Sequence, residues 1–361
     1  MTARRDAVER PVDRARNRSA VRRRRLIAGG LLGAAAIAVA LTVVLASGGT
    51  PAHLSNHVTT KAGAAAARPV PNRRRASSFA VGLRTLRLID TSRTITLPDG
   101  ATEPRTLITY VRYPALGSTG RTDVLGAPAA RADGPFPLIV FGHGFDVTPD
   151  LYRRLLQSWA RAGYVVAAPV FPLESPDAPG GPDESDLSNQ PLDMRFVITQ
   201  LLHDAAGAGP LSGLIDSAHI AVAGQSDGGD TALAVAYDPR FRDARVGAAA
   251  ILSGAEIPGL GPFTFPPGGP PLLATQGTAD TINPPGATTE FFDAARRPKY
   301  LLRLLGAEHL PPYSTQQPQL EIVERVSIAF FDAYLKHGSG DLRRLALAGS
   351  VPDVATVLAE P

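Results

Sequence analysis

Three residues far apart in the chain have the types and surroundings to perform acyl transfer: Ser226, Asp280 and His309. Ser226 sits in Gly224-Gln225-Ser226-Asp227-Gly228, followed by Gly229, between an apolar run (IAVA) and a helical stretch (DGGDTALAVAY). A GxSxG pentapeptide is a weak signal alone, but strand before and helix after is the setting of a nucleophile elbow. There the serine occupies a strained turn, and the small residues Gly224 and Gly228 let neighbouring backbones come close. A serine hydroxyl needs a base to take its proton and a third group to orient that base. On such a framework the partners follow in the order serine, acid, histidine, each in a loop after a later strand.

Downstream of Ser226 the histidines are His309 and His337. His309 follows the apolar run in LLRLLGAEHL, whereas His337 stands at the polar end of the last long helix and reads as solvated. His309 is therefore the expected base. Asp280, in PLLATQGTADTINPP, follows another apolar strand and is the expected acid, with Glu256 after the preceding strand as the alternative. Glu308, beside the base, reads as a surface charge. Two backbone N–H groups must face the oxyanion that develops during attack. The expected donors are Asp227, the residue after the serine, and Phe145, in the Gly142-His143-Gly144-Phe145 loop, with His143 ordering that loop. The Asp227 side chain is expected to point away from the oxyanion and cap the helix start, where a carboxylate is favourable.

The elements that must hold these residues alternate strand and helix. Val81 to Ile89 and Arg105 to Tyr113 read as strands flanking a turn at Pro98-Asp99-Gly100. Pro137 to Phe141 (PLIVF) is continuously apolar, as a strand covered on both faces must be. Leu151 to Ala162 reads as a helix with Trp159 in the core, and Tyr164 to Ala168 as the next buried strand. A helix over Leu192 to Leu202, strands at Ile220–Ala223, Gly247–Leu252, Pro271–Thr275 and Tyr300–Leu305, and a helix from Leu320 to Lys336 complete the pattern. The alternation predicts an α/β domain over residues 79–340, a mostly parallel doubly wound sheet, with a C-terminal extension at 341–361. The segment from Gly254 to Pro270 is too short for a large helical lid, which favours an open pocket for short or medium acyl groups. The acidic loop with Asp177, Asp183, Glu184 and Asp186 reads as solvated rather than as a cation site, and no metal or cofactor is expected.

The first 78 residues have a different character. Leu26 to Leu45 is a run of twenty uncharged residues directly after Arg22 to Arg25. Twenty helical residues rise about 30 Å, enough to cross a bilayer. The arginines favour a cytoplasmic N-terminus, so the expectation is a basic tail (1–25), a single membrane or signal-anchor helix (26–45) and a flexible tether (46–78). The catalytic domain would then lie outside the cytoplasm. Cleavage near Ala46-Ser47-Gly48, giving a secreted form, is the alternative. The charge agrees with this division: residues 1–25 carry +7 and 26–75 carry +5, which leaves −8 for the rest of a chain of net +4. An acidic domain gives nucleic-acid binding no support. The absence of cysteine excludes disulfides, thiolate catalysis and Cys-based zinc sites.

Together these pieces resemble the dienelactone-hydrolase-like branch of the α/β-hydrolase superfamily that contains platelet-activating-factor acetylhydrolases, chlorophyllases and bacterial polyester hydrolases. The likeness runs from about Val81 to Lys336, on VGLRTLRLIDTSR, YVRYPA, PFPLIVFGHGF, NQPLDMRFVI, GQSDGG, GTAD and GAEH. It implies a serine esterase acting through an acyl-serine intermediate on a small-molecule or lipid ester, without a cofactor. The family's triad falls on Ser226, Asp280 and His309, and its oxyanion donors on Phe145 and Asp227. The chain departs from the pattern at Gln225, where many members have His, and at Asp227, where polyester hydrolases often carry Met. It also lacks the disulfide common in polyester hydrolases, so the departures bear on polymer cleavage more than on ester cleavage. An amidase or peptidase using the same triad, an acyltransferase, and a non-catalytic binding module on the same fold are the rival readings.

Overall fold

The computed structural model describes residues 78–361. The basic tail, the apolar run at 26–45 and the tether up to residue 77 lie outside the described residues. Among the described residues no helix is long and apolar enough to cross a membrane.

The framework is one ten-stranded sheet. Strands β1 (Ala80–Thr96) and β2 (Thr102–Ala115) form an antiparallel hairpin, with the short β3 (Val124–Leu125) beside β1. Six strands then run parallel: β4 (Phe136–Gly142), β5 (Val165–Pro169), β6 (Ile215–Gln225), β7 (Val246–Leu252), β8 (Leu272–Gly277) and β9 (Lys299–Leu304). The antiparallel β10 (Ala355–Glu360) closes the far edge, and the spatial order is β10-β9-β8-β7-β6-β4-β5-β2-β1-β3.

The central strands β4 and β5 are apolar and buried along their whole length because both of their faces are covered. Leu138 and Val140 of β4 join the core on one face, with the helices Gln190–Ala206, Asp227–Tyr237 and Pro285–Ala294. Their neighbours Ile139 and Phe141 join the core on the other face, under the helices Arg153–Arg161 and Gln319–Leu335. Successive side chains of a strand point to opposite faces, so the unbroken PLIVF run serves two cores at once. Trp159 is fully buried in the second core and donates its indole N–H to Ser327 Oγ at 2.8 Å.

Some elements differ from the sequence-based expectation. Both hairpin strands are longer, because the turn closes tightly through Leu97 N–H to Ala101 O at 2.8 Å. The helix expected from Leu192 starts at Gln190, with Pro191 in its first turn, where a missing N–H costs nothing. The same reason explains the helix Pro285–Ala294, since Pro284 and Pro285 start a helix there rather than stop one. The C-terminal segment carries the helix Asp341–Gly349 and β10, which extends the sheet beyond β9. The acidic loop is not simply solvated: Asp186 is buried against Arg105 of β2, with Arg105 Nη1 to Asp186 Oδ1 at 2.9 Å.

Candidate active site

Ser226 follows β6 directly and precedes the helix Asp227–Tyr237. Its backbone has φ 55° and ψ −126°, a conformation costly for a residue with a Cβ and typical of a strained site. The turn is pinned by Ser226 N–H to Leu252 O at 3.0 Å and by Asp230 N–H to Ser226 O at 2.9 Å. Glycines make the geometry possible. A Cβ on Gly228 would stand 2.2 Å from the carbonyl carbon and oxygen of Gly142, so the end of β4 lies directly on the helix start. A Cβ on Gly144 would lie 3.2 Å from Ser226 Cβ, which puts the loop after β4 alongside the hydroxyl.

Asp280 and His309 arrive from the loops after β8 and β9. Gly277 brings those loops together, since a Cβ there would meet Ala307 O at 2.4 Å. Ala279 N–H also donates to Ala307 O at 2.9 Å. His309 Nε2 lies 2.8 Å from Ser226 Oγ, and His309 Nδ1 lies 2.7 Å from Asp280 Oδ2. Asp280 accepts further bonds: at Oδ1 from the N–H groups of Ile282 (2.9 Å) and Asn283 (3.0 Å), and at Oδ2 from Gln276 Nε2 (3.1 Å). Gln276 is itself held by Thr288 Oγ1, 2.6 Å from its Oε1. A carboxylate so fully engaged is fixed in place and keeps its acceptor oxygen on the ring. Ser226 and His309 are each 8% exposed and Asp280 3%, so solvent reaches the hydroxyl and the ring but hardly the acid.

The other residues singled out by sequence sit elsewhere. Glu256 lies in the loop after β7 against Gly261, and burial foremost, then the nearby Glu290, raises its carboxyl. Glu308 is exposed. His337 is exposed too and meets His219 edge-on.

His143 is fully buried with both ring nitrogens engaged. Its Nε2 accepts from Phe171 N–H at 2.9 Å, so its Nδ1 carries the proton and donates to Gly144 O at 2.8 Å. It therefore ties the loop after β4 to the segment after β5, and burial lowers its pKa from 6.5 to about 4. Phe145 is half-buried next in that loop. Asp227 opens the helix beside Ser226, and its side chain does not stand at a solvated helix end: it is 2% exposed. Burial foremost, and then the Asp227 carboxylate, push the Glu174 carboxyl well above its ordinary range.

Two groups have a place that the sequence did not suggest. Gln225 Nε2 lies 3.2 Å from His309 Nε2 and donates to the His309 carbonyl at 3.2 Å. Tyr152 donates its hydroxyl to Gln225 Oε1 at 2.7 Å and accepts from Gly144 N–H at 3.3 Å. Burial raises the Tyr152 hydroxyl, which keeps it protonated and able to donate. Gln225 was noticeable only as the residue before the serine. Tyr152 gave no signal, because a tyrosine at a helix start is ordinary core material. Among the described residues no cluster of three or more His, Asp or Glu side chains is arranged to hold a metal ion.

A family model described as chlorophyllase matches residues 118–253, a stretch that includes β4 to β7 and Ser226 and ends before Asp280 and His309. Among solved structures, a ferulic acid esterase from Streptomyces cinnamoneus is similar, with a TM-score of 0.52 and 23% sequence identity. The alignment covers 74% of this chain and 93% of that one. No curated protein matches the chain. In fold the chain is an α/β-hydrolase. The two matches together support an ester-hydrolysing member of that superfamily.

Proposed function

We propose that the chain is a serine esterase in which Ser226 is the nucleophile, His309 the base and Asp280 the acid. The observation that carries this reading is the continuous hydrogen-bond line Ser226 Oγ, His309 Nε2, His309 Nδ1, Asp280 Oδ2, with links of 2.8 Å and 2.7 Å. With the Nδ1 proton donated to Asp280, the Nε2 lone pair is left for the serine proton. As Ser226 attacks an ester carbonyl, His309 takes that proton and Asp280 stabilises the imidazolium. The amides of Phe145 and Asp227 hold the oxyanion. His309 then protonates the departing alcohol, and water, deprotonated by the same ring, releases the acid and frees the serine.

No helix forms between Gly254 and Pro270, which supports an uncovered site for short or medium acyl groups. The name of the similar ferulic acid esterase adds aromatic acyl esters to the candidates. Membrane attachment and an extracytoplasmic catalytic domain belong to the same proposal, on the strength of the Leu26–Leu45 run behind Arg22–Arg25. The test is turnover of nitrophenyl esters of increasing acyl length and of a ferulate ester, with aminoacyl amides in parallel. Serine-dependent ester cleavage supports the reading. Cleavage of amides alone would replace it with an amidase, and no turnover of either class by folded protein would favour a binding module.

A further inference from the structure

The hydrogen bonds around Gln225 run from one part of the site to another. Gly144 N–H, in the loop that carries Phe145, donates to the Tyr152 hydroxyl at 3.3 Å, and that hydroxyl donates to Gln225 Oε1 at 2.7 Å. At the other end of the amide, Nε2 faces two atoms of one residue: the His309 carbonyl and the His309 ring nitrogen Nε2, each at 3.2 Å. The orientation of the amide is not in question, because a backbone carbonyl can only accept, so the nitrogen must face it. The hydroxyl settles the other side, since it donates to the oxygen. Gln225 is 1% exposed and Tyr152 fully buried, so neither bond competes with bulk water.

We infer that Gln225, held by Tyr152, is a positioning residue: a rigid strut that sets the distance between the oxyanion loop and the base. The inference rests on the serine-esterase reading above. Gln225 Nε2 holds His309 by donating to its carbonyl, while the ring's Nε2 lone pair accepts from the nearer Ser226 Oγ, at 2.8 Å against 3.2 Å to the amide. A carboxylate in its place would repel the His309 carbonyl and draw the ring proton to Nε2, where the base must have none. The strut touches no reacting atom of an ester. Its loss displaces groups that act together in the transition state, so the cost falls on kcat and not on KM.

The test uses the full chain and two readouts, the rate at which a fluorophosphonate probe labels Ser226 and the steady-state kcat and KM on a nitrophenyl ester. Gln225→Leu removes both bonds, and Gln225→Glu keeps the shape but loses the donor. Each should slow labelling and lower kcat on the order of 10- to 100-fold, up to the roughly 10²-fold that a misplacement of about 1 Å costs, with KM little changed. Tyr152→Phe should lose part of the same factor when made alone and nothing further in the Gln225→Leu background. If Gln225→Leu fails to fold, Gln225→Glu and Tyr152→Phe still decide the matter. Wild-type labelling rates in Gln225→Glu, a loss confined to KM, or losses that add in the double variant would overturn the strut while leaving the esterase reading intact. Wild-type protein that labels no faster than Ser226→Ala would overturn both.

Discussion

A methyl group added to Gly224 would lie 2.0 Å from the carbonyl oxygen of Gly228, across the turn that holds Ser226. The two glycines are there for space, not for backbone freedom: neither has a positive φ, whereas Ser226 between them does. Gly224→Ala or Gly228→Ala must push whole backbone segments apart, because the atoms in the way are main chain and cannot rotate aside. Each is expected to cost more than about 3 kcal/mol, the upper range for overpacking, and to lower the melting temperature by roughly 10 °C. Gly120→Ala is the control, since a Cβ there meets nothing within 4 Å. Thermal melts that leave Gly228→Ala as stable as this control would contradict the packing described here.

The proposed mechanism predicts a graded response. Ser226→Ala removes the attacking oxygen and should reduce kcat by roughly 10⁶. Asp280→Asn keeps the shape but replaces an acceptor oxygen on His309 Nδ1, and a loss of roughly 10⁴ is expected from the wrong tautomer. The Asp280 pair of backbone bonds, from Ile282 and Asn283, survives in that variant, but the new amide nitrogen faces the Gln276 donor, so a modest loss of stability should accompany the loss of rate. Ester assays with denaturation curves on the same samples decide this. An active Asp280→Asn would mean that another carboxylate orients the ring.

Much of this site was legible because each member follows a strand that the sequence marks as buried. Ser226, Asp280 and His309 lie after β6, β8 and β9, and order along the chain was enough to separate His309 from His337. Their supports were not legible. Gln276 and Thr288 meet through a helix, Pro285–Ala294, that a proline pair concealed, and Tyr152 meets Gln225 across a sequence separation of 73. A pattern of apolar residues reveals which face a strand buries, but not which buried polar groups find each other across the core. The same limit explains Asp186, which reads as one more charge in a polar loop until β2 brings Arg105 to it.

Arg105 carries a prediction about stability rather than catalysis. It is 1% exposed and bridges Asp186 and Asp193, with Nε to Asp193 Oδ1 at 2.7 Å and Nη1 to Asp186 Oδ1 at 2.9 Å. Burial alone would lower its pKa, but the two carboxylates outweigh burial and hold it charged. Arg105→Met leaves buried Asp186 without its cation and Asp193 with Arg93 alone, 2.8 Å from its Oδ1, and breaking such a cluster from one side costs roughly 3–5 kcal/mol. Adding Asp186→Asn and Asp193→Asn to the same chain should recover most of that loss, since the uncompensated charge is then gone. Urea denaturation of the single and triple variants measures both steps, and equal instability of the two would show that packing, not charge, dominates there.

His143 should leave its mark on the pH dependence of folding. Its folded pKa is about 4 against an ordinary 6.5, because burial opposes the charged ring. In the unfolded chain the ring takes up its proton first as the pH falls, so protonation favours unfolding. The contribution of His143 is thus present in full above pH 6.5 and is lost progressively down to about pH 4. At about 1.36 kcal/mol per pKa unit, the loss approaches roughly 3 kcal/mol at the bottom of that window. His143→Asn should be less stable at pH 7.5, since Asn cannot both donate to Gly144 O and accept from Phe171 N–H at the same two places. Its stability should nevertheless fall less between pH 7.5 and 4.5 than that of the wild type, by ~2–3 kcal/mol. Denaturant unfolding at both pH values gives this difference directly. Parallel pH profiles for the two proteins would mean that the ring is charged in the folded state, and that the Phe171 N–H cannot be donating to it.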